Sequence, residues 1–173
     1  MSEKLSKKIK SDLYYDYLVK DIMNNPNFNK IKDIPHHNTT DRYTHSLNVS
    51  YFAYKIARLI GGDLRVVARS GLLHDFFYEI PKECDKAKDR MKLTTKDHPI
   101  IAVINSKEEF GINEIEENAI KSHMYPLNSY VPKHKESWII NFADKLITIK
   151  EVTYTFNYSF NILTLFLLNW FIR

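Results

Sequence analysis

The sequence predicts an all-α fold, a single compact helical bundle. Apolar residues recur at helical spacing along several stretches, and no stretch alternates convincingly with a period of two. Only 4 of the 173 residues are glycine, which argues against a turn-rich β protein and for long helices.

Each element has its own signal. Ser11 to Met23 carries Leu13, Tyr14, Tyr17, Leu18 and Ile22, a 3.6-period stripe that stops before Asn24-Asn25-Pro26. Phe28 to Asn38 reads as loop, with Pro35 and the pair His36-His37. Thr39 or Thr40 is expected to cap a helix that runs to Ile60, where Gly61-Gly62 supplies a left-handed stop. Along that helix Leu47, Val49, Phe52, Ala53, Ile56, Ala57 and Ile60 form a broad apolar face. Asp63 is the expected N-cap of the next helix, Leu64 to about Asp75, with Arg65 and Arg69 on its wet side. Phe76 to Asp97 turns charged and irregular around Pro81, and reads as a loop with one short helix that could cover a site. Pro99 marks a helix start, running to about Asn105, because proline at the first helical position costs no hydrogen bond. Asn113 to Ser122 forms another helix, ending before Pro126, and Lys135 to about Val152 the last core helix. The expected organisation is an N-terminal helix and loop over 1–40 packed on the core, a functional domain over 41–152, and an apolar C-terminal helix over 153–173.

Composition narrows the function classes. Hydrophobic content of 44% and charged content of 27% fit one soluble domain, long enough to bury a real core. The single cysteine, Cys84, excludes an internal disulfide, fits a reducing cytosol and lies in a charged stretch that does not suit a catalytic thiol. Met1 to Lys10 is polar and lysine-rich without a following apolar core, so no signal peptide is expected and the predicted location is cytoplasmic. The net charge of +4 is mild, and the lysine runs at Lys4 to Lys10 and Lys82 to Lys96 read first as solvated surface. Lys88, Arg90, Lys92 and Lys96 could instead meet an anionic substrate; nucleic acid is disfavoured because no aromatic residues interleave with them. Val152 to Ile172 holds no charged residue, which suits packing on the core or in a homodimer better than a membrane contact, since Asn157, Asn161, Thr164 and Asn169 dilute its apolar run.

The chemistry-bearing residues begin with His74-Asp75, an imidazole and a carboxylate at the foot of the helix containing Gly71-Leu72-Leu73. Gly71 permits a close helix approach there. His45 lies early in its helix, one turn after Arg42, so the two can face one cavity. His98 precedes Pro99, which favours an extended backbone at a helix entrance, and His123 stands at a helix exit. Asp144 puts a charge inside the apolar stretch Phe142 to Ile147 and needs a partner. Six nitrogen or oxygen ligands, each on or at the edge of a helix, make a metal-site inventory. His36, His37 and His134 lie in polar or proline-containing loops and stay outside the expected site, with His37 the first to reconsider.

The segments Asp-Arg-Tyr-Thr-His-Ser at 41–46, Gly-Leu-Leu-His-Asp at 71–75 and Phe-Ala-Asp-Lys at 142–145, in this order on helices, resemble the HD-domain superfamily of metal-dependent phosphohydrolases. The resemblance covers roughly Asp41 to Val152. It implies metal ligation by His45, His74, Asp75 and Asp144. His98 and His123 resemble the two further histidines of the dinuclear subgroup, which includes symmetrical dinucleoside-tetraphosphate hydrolases and cyclic-dinucleotide phosphodiesterases. By that likeness Asp75 bridges two ions, with His45, His74 and Asp144 on one and His98 and His123 on the other. The Gly-Tyr-Pro signature of the cyclic-dinucleotide enzymes is absent, and Met124 follows His123 where those enzymes have a second histidine.

The expected activity is hydrolysis of a phosphoester or phosphoanhydride in a small, phosphorylated, nucleotide-like substrate by a metal-activated water. Asp75 is the central catalytic carboxylate, and Arg42 and Lys145 are candidates to stabilise phosphoryl charge. One or two divalent ions are implied, and Mn, Fe, Co, Ni, Zn and Mg are not distinguished by this ligand set. Two other classes use the same inventory: a di-iron oxygenase, and a metal- and nucleotide-binding regulatory module without turnover.

Overall fold

The computed structural model describes residues 7, 9, 11–36, 40–78 and 96–153. The segment expected to cover the site and the expected C-terminal helix over 153–173 lie outside the described residues, apart from Phe76 to Tyr78, Lys96-Asp97 and Thr153; so does His37. The helices are α1 (Leu13–Met23), α2 (Pro26–Asn29), α3 (Arg42–Ile60), α4 (Leu64–Leu73), α5 (His98–Phe110), α6 (Glu114–Ser122) and α7 (Lys135–Thr153). A 3-10 turn (Lys30–Asp33) and two two-residue strands, β1 (Pro35–His36) and β2 (Thr40–Asp41), connect α2 to α3. The fold is all-α, as its sequence predicts. Among the described residues no helix is long and apolar enough to cross a membrane.

Helix α3 is the central post. Every residue from His45 to Tyr54 is buried, because α4, α7 and the segment leading in from α2 surround it. One face joins Tyr15, Leu18, Ile22, Phe28, Leu72 and Phe76 in a first core cluster. The other face, through Val49, Phe52, Ala53 and Ile56, meets Val67, Ala119, Ile140 and Ala143 in a second. Burial of this apolar surface stabilises by about 25 cal/mol per Å² removed from water, which is what fixes the helices around α3.

Caps set the helix boundaries. Asp41, and not Thr39 or Thr40, caps α3: its carboxylate accepts from the Thr44 backbone N–H and hydroxyl, both at 2.7 Å. The carboxylate gives each donor its own oxygen, Oδ1 to the amide and Oδ2 to the hydroxyl. Asp63 caps α4 through the Arg65 and Val66 amides, and Asn113 with Glu116 forms a capping box on α6. Helix α5 continues to Phe110, five residues past the expected end at Asn105, and stops at Gly111 in the left-handed region. His98 is itself helical at the start of α5, so packing overrides the extended preference that Pro99 imposes on its neighbour. The stretch expected as loop from Phe28 to Asn38 contains the end of α2, the 3-10 turn and β1. Pro35 pairs with Asp41 and His36 with Thr40, a ladder too short to show any alternation in sequence.

The wet side expected for α4 is only half wet. Arg65 is exposed, but Arg69 is buried between α6 and α1, donating from Nε to Glu116 Oε1 at 2.9 Å and pairing with Asp21.

Gly71 does permit the close helix approach expected of it. A Cβ there would lie 2.5 Å from Ser50 Cα and 3.0 Å from Ser50 N, both backbone atoms of α3. Ser50 is fixed in turn, since its hydroxyl reaches the Ala68 carbonyl at 2.6 Å and the Tyr15 hydroxyl at 2.7 Å. Gly71→Ala should therefore push α3 and α4 apart. Overpacking of this kind costs about 1–3 kcal/mol, more than the helix propensity gained, and should lower the melting temperature by several degrees. A variant that melts at or above the wild-type temperature would show that the crossing yields freely.

Candidate metal centre

Helix ends bring the ligand-type side chains together. His45 lies in the first turn of α3, His74 and Asp75 follow the last turn of α4, His98 opens α5, His123 closes α6, and Asp144 sits midway along α7. All six are buried, with His45 and His74 at 0% exposure and Asp75 at 5%. Residues far apart in sequence meet here because α3 packs on α4 and α7, α4 on α6, and α6 on α5 and α7.

Asp75 is the junction. Its Oδ1 lies 3.4 Å from His98 Nε2 and 3.7 Å from His123 Nε2, and its Oδ2 lies 3.7 Å from His74 Nε2. Asp144 Oδ1 lies 3.2 Å from His45 Nε2 and 3.6 Å from His74 Nε2. The Nε2 atoms of His98 and His123 are 2.9 Å apart. Among the described residues three groups of side chains each place their ligand atoms within 4.8 Å of one another: His45, His74 and Asp144; His74, Asp75 and His123; and His36, His45 and Asp75.

The tautomers turn lone pairs inward. His74 donates Nδ1–H to the Gly71 carbonyl at 2.9 Å, and His123 donates Nδ1–H to the Ile120 carbonyl at 2.7 Å. In the neutral ring each Nε2 is then an acceptor facing carboxylate oxygens, which are acceptors as well. His74 Nε2 is fully buried and has no hydrogen-bond partner. Lone pairs that face carboxylates inside a protein need a cation between them, and a divalent ion fits this donor set.

The charges are correspondingly displaced. Burial opposes the charged form of Asp75, yet the imidazoles of His74, His98, His36 and His123 outweigh it and hold the carboxyl well below its usual range. Burial likewise opposes ionised Asp144, and the hydrogen bond from His45 with the nearby imidazole of His74 more than reverses that. Burial would push His45 down, but hydrogen bonds to Asp144 and Glu151 lift it to about 10. His123 goes the other way: burial, then repulsion from His74 and His98, lowers it to about 3. Burial also lowers His98, despite the attraction of Asp75. Burial would push His74 down too, but the Asp75 and Asp144 carboxylates raise it. In the metal-free protein a cation must therefore displace the proton of His45 and compete with a proton at His74, while His98 and His123 stand neutral.

The two expected cationic residues are placed differently from one another. Arg42 is 6% exposed, its guanidinium 3.6 Å from the Phe77 ring centre, and it donates to the Phe77 carbonyl. Its Nε is buried without a partner, and its charge is felt by Asp75. Lys145 is turned toward the end of α6, where its ammonium donates to the His123 carbonyl at 3.1 Å.

Two residues join the site that the sequence reading left out. His36 lies on β1 with its ring centre 4.1 Å from that of His45 and its Nδ1 4.0 Å from Asp75 Oδ2. Only the hairpin, invisible as a period-two pattern, carries it there. Glu151 accepts from His45 Nδ1 at 2.8 Å. Its spacing of seven from Asp144 places both on one face of α7, a signal available in the sequence.

A family model described as "HD domain" matches residues 42–149, more than half of the 173-residue chain, a span within which the six expected ligands fall. The chain is also similar to the "Bis(5'-nucleosyl)-tetraphosphatase, symmetrical" of Staphylococcus aureus (strain NCTC 8325 / PS 47), being 30% identical over 122 residues. That match covers 64% of this chain and 62% of the relative, so the chain spans less than two thirds of the relative's length. No solved structure matches.

Proposed function

The chain belongs to the HD-domain family, and from that premise we propose that it is a metal-dependent phosphohydrolase acting on a phosphoester or phosphoanhydride of a nucleotide-like substrate. One observation carries the reading: buried His74 Nε2, with no partner, points its lone pair among the oxygens of Asp75 and Asp144. His45, His74, Asp75 and Asp144 would hold one divalent ion, and Asp75 with His98 and His123 a second. An ion bound there supplies Lewis acidity and an acidified water at neutral pH.

The chain's own residues divide the remaining work. Asp75 presents one oxygen to His74 and the other to His98 and His123, so it is the group able to join the two ligand sets. Arg42, its guanidinium 3.6 Å from the Phe77 ring centre and within the electrostatic reach of Asp75, would pair with phosphoryl oxygens. Lys145 adds positive charge from the His123 carbonyl, at greater remove. In the reaction the water oxygen bonds to phosphorus, the P–O bond to the leaving group breaks, and the leaving oxygen takes up a proton. The buried pocket keeps bulk water from competing for these hydrogen bonds. The tetraphosphatase named above supports a nucleoside polyphosphate as the first substrate to try.

The test is a panel of generic phosphodiesters, phosphomonoesters and nucleoside polyphosphates, assayed with Mn, Fe, Co, Ni, Zn and Mg in turn. Hydrolysis should depend on added metal, stop with chelator and resume on reloading. No phosphate or nucleotide release with any of these metals would refute the proposal.

A further inference from the structure

The ligand histidines face a common problem, to which α3 brings a different answer. His74 and His123 each follow the last turn of a helix, where the carbonyl three residues back is open, and each ties its Nδ1–H to that carbonyl. His45 lies in the first turn of α3, where the spare backbone groups are N–H donors. It needs an acceptor from another element. Glu151 provides one: its Oε2 is 2.8 Å from His45 Nδ1, with side-chain exposures of 10% and 1% for the pair. Asn48, one turn beyond His45 on α3, steadies the other oxygen of Glu151 at 3.4 Å. On the far side of the ring, Asp144 Oδ1 lies 3.2 Å from Nε2. Helix α7 thus grips one imidazole at both nitrogens with carboxylates seven residues apart.

We infer that Glu151 is a positioning residue of the metal centre, which fixes His45 as the Nδ1–H tautomer so that Nε2 offers its lone pair to the ion. A carboxylate on the distal nitrogen also strengthens the ring as a ligand, and loss of such a partner typically weakens metal binding about 10–100-fold. The inference rests on the metal-binding reading of the site.

The experiment is titration calorimetry of Mn(II) into the full chain and its variants, with long-range proton–nitrogen NMR of His45 in the zinc-loaded form. Glu151→Ala should weaken Mn(II) binding about 10–100-fold. Glu151→Gln keeps the acceptor oxygen and loses the charge, so it should retain the Nδ1–H tautomer with a smaller loss of affinity. That variant decides the matter even if Glu151→Ala does not fold. A merely structural role would leave the tautomer untouched and the Mn(II) affinity of Glu151→Gln unchanged. His74→Ala is the control for the site itself. Wild-type affinity in both Glu151 variants, with binding lost in His74→Ala, overturns the role of Glu151 alone. Unchanged binding in His74→Ala as well overturns the metal reading beneath it. Finding His45 as the Nε2–H tautomer in zinc-loaded wild-type protein also overturns the inference.

Discussion

Asp75→Asn is expected to reduce metal-dependent turnover by at least about a thousandfold, equivalent to about 4 kcal/mol of transition-state stabilisation. Asparagine preserves the shape but removes the charge that four imidazoles converge on, at 3.4–4.0 Å from its two oxygens. Losing an ordinary ligand would weaken one ion; losing Asp75 separates the His45–His74–Asp144 group from the His98–His123 pair. The loss should fall on kcat, and added metal should not restore it. His134→Ala is the matched control, because His134 lies outside the cluster and should leave turnover within about twofold of wild type. Substantial turnover in Asp75→Asn would place the chemistry elsewhere. The metal-free protein gives an independent reading. A carboxyl whose folded pKa is depressed contributes stability above its unfolded value, near 4, and loses it as pH falls toward the folded value. Wild type should therefore lose stability on acidification below about pH 4 more steeply than Asp75→Asn, as followed by thermal melts.

The candidate ligands were legible in sequence because each carries a local sign: a histidine at a helix entrance or exit, or an aspartate inside an apolar run. Their convergence has no local sign and was expected only through the HD-domain resemblance. His45 and Asp144 are 99 residues apart in the chain and 3.2 Å apart in space, and only the packing of α3 against α7 produces that contact. Residues whose sign is weaker were missed for identifiable reasons. Glu151 lies near the end of a helix in a charged context, where a glutamate is normally solvated. Its position two turns from Asp144 gains meaning only when that face of α7 is known to lie against His45. His36 had no periodic signal, since two residues of strand cannot alternate visibly. The caps show the same division. Asp63 is readable because it directly precedes an apolar-periodic helix, whereas Thr39 and Thr40 carry the same N-cap sign as Asp41, which differs in engaging both of its oxygens.

Arg69 shows what helical periodicity leaves open, and its replacement should have the largest effect on stability. The spacing of Arg65 and Arg69 puts them on one side of α4, which invites a solvated reading for both. Periodicity says which residues share a face; it does not say whether another helix covers it. Here α6 and α1 cover the Arg69 end, leaving Arg69 at 3% and Glu116 at 4% exposure. Both oxygens of Glu116 are committed, one to Arg69 Nε at 2.9 Å and the other to the Asn113 amide at 2.9 Å in the α6 capping box. Arg69→Met fills much of the same space but strands the Glu116 carboxylate among apolar groups. Removing one partner of a buried pair costs about 3–5 kcal/mol, far beyond the value of a surface bridge. For a chain of this length that corresponds to a melting temperature lower by about 10 °C. The double variant Arg69→Met with Glu116→Gln separates the causes, because the amide keeps the capping-box acceptor and removes the stranded charge. It should recover about half of the loss or more. If the double variant were no more stable than Arg69→Met, the cost would come from lost packing of the arginine side chain and not from its charge. Since His74-Asp75 follow α4 and His123 follows α6, the same ion pair ties together the two helices that lead into the candidate metal centre. Arg69→Met should therefore weaken Mn(II) binding even at temperatures where the variant remains folded.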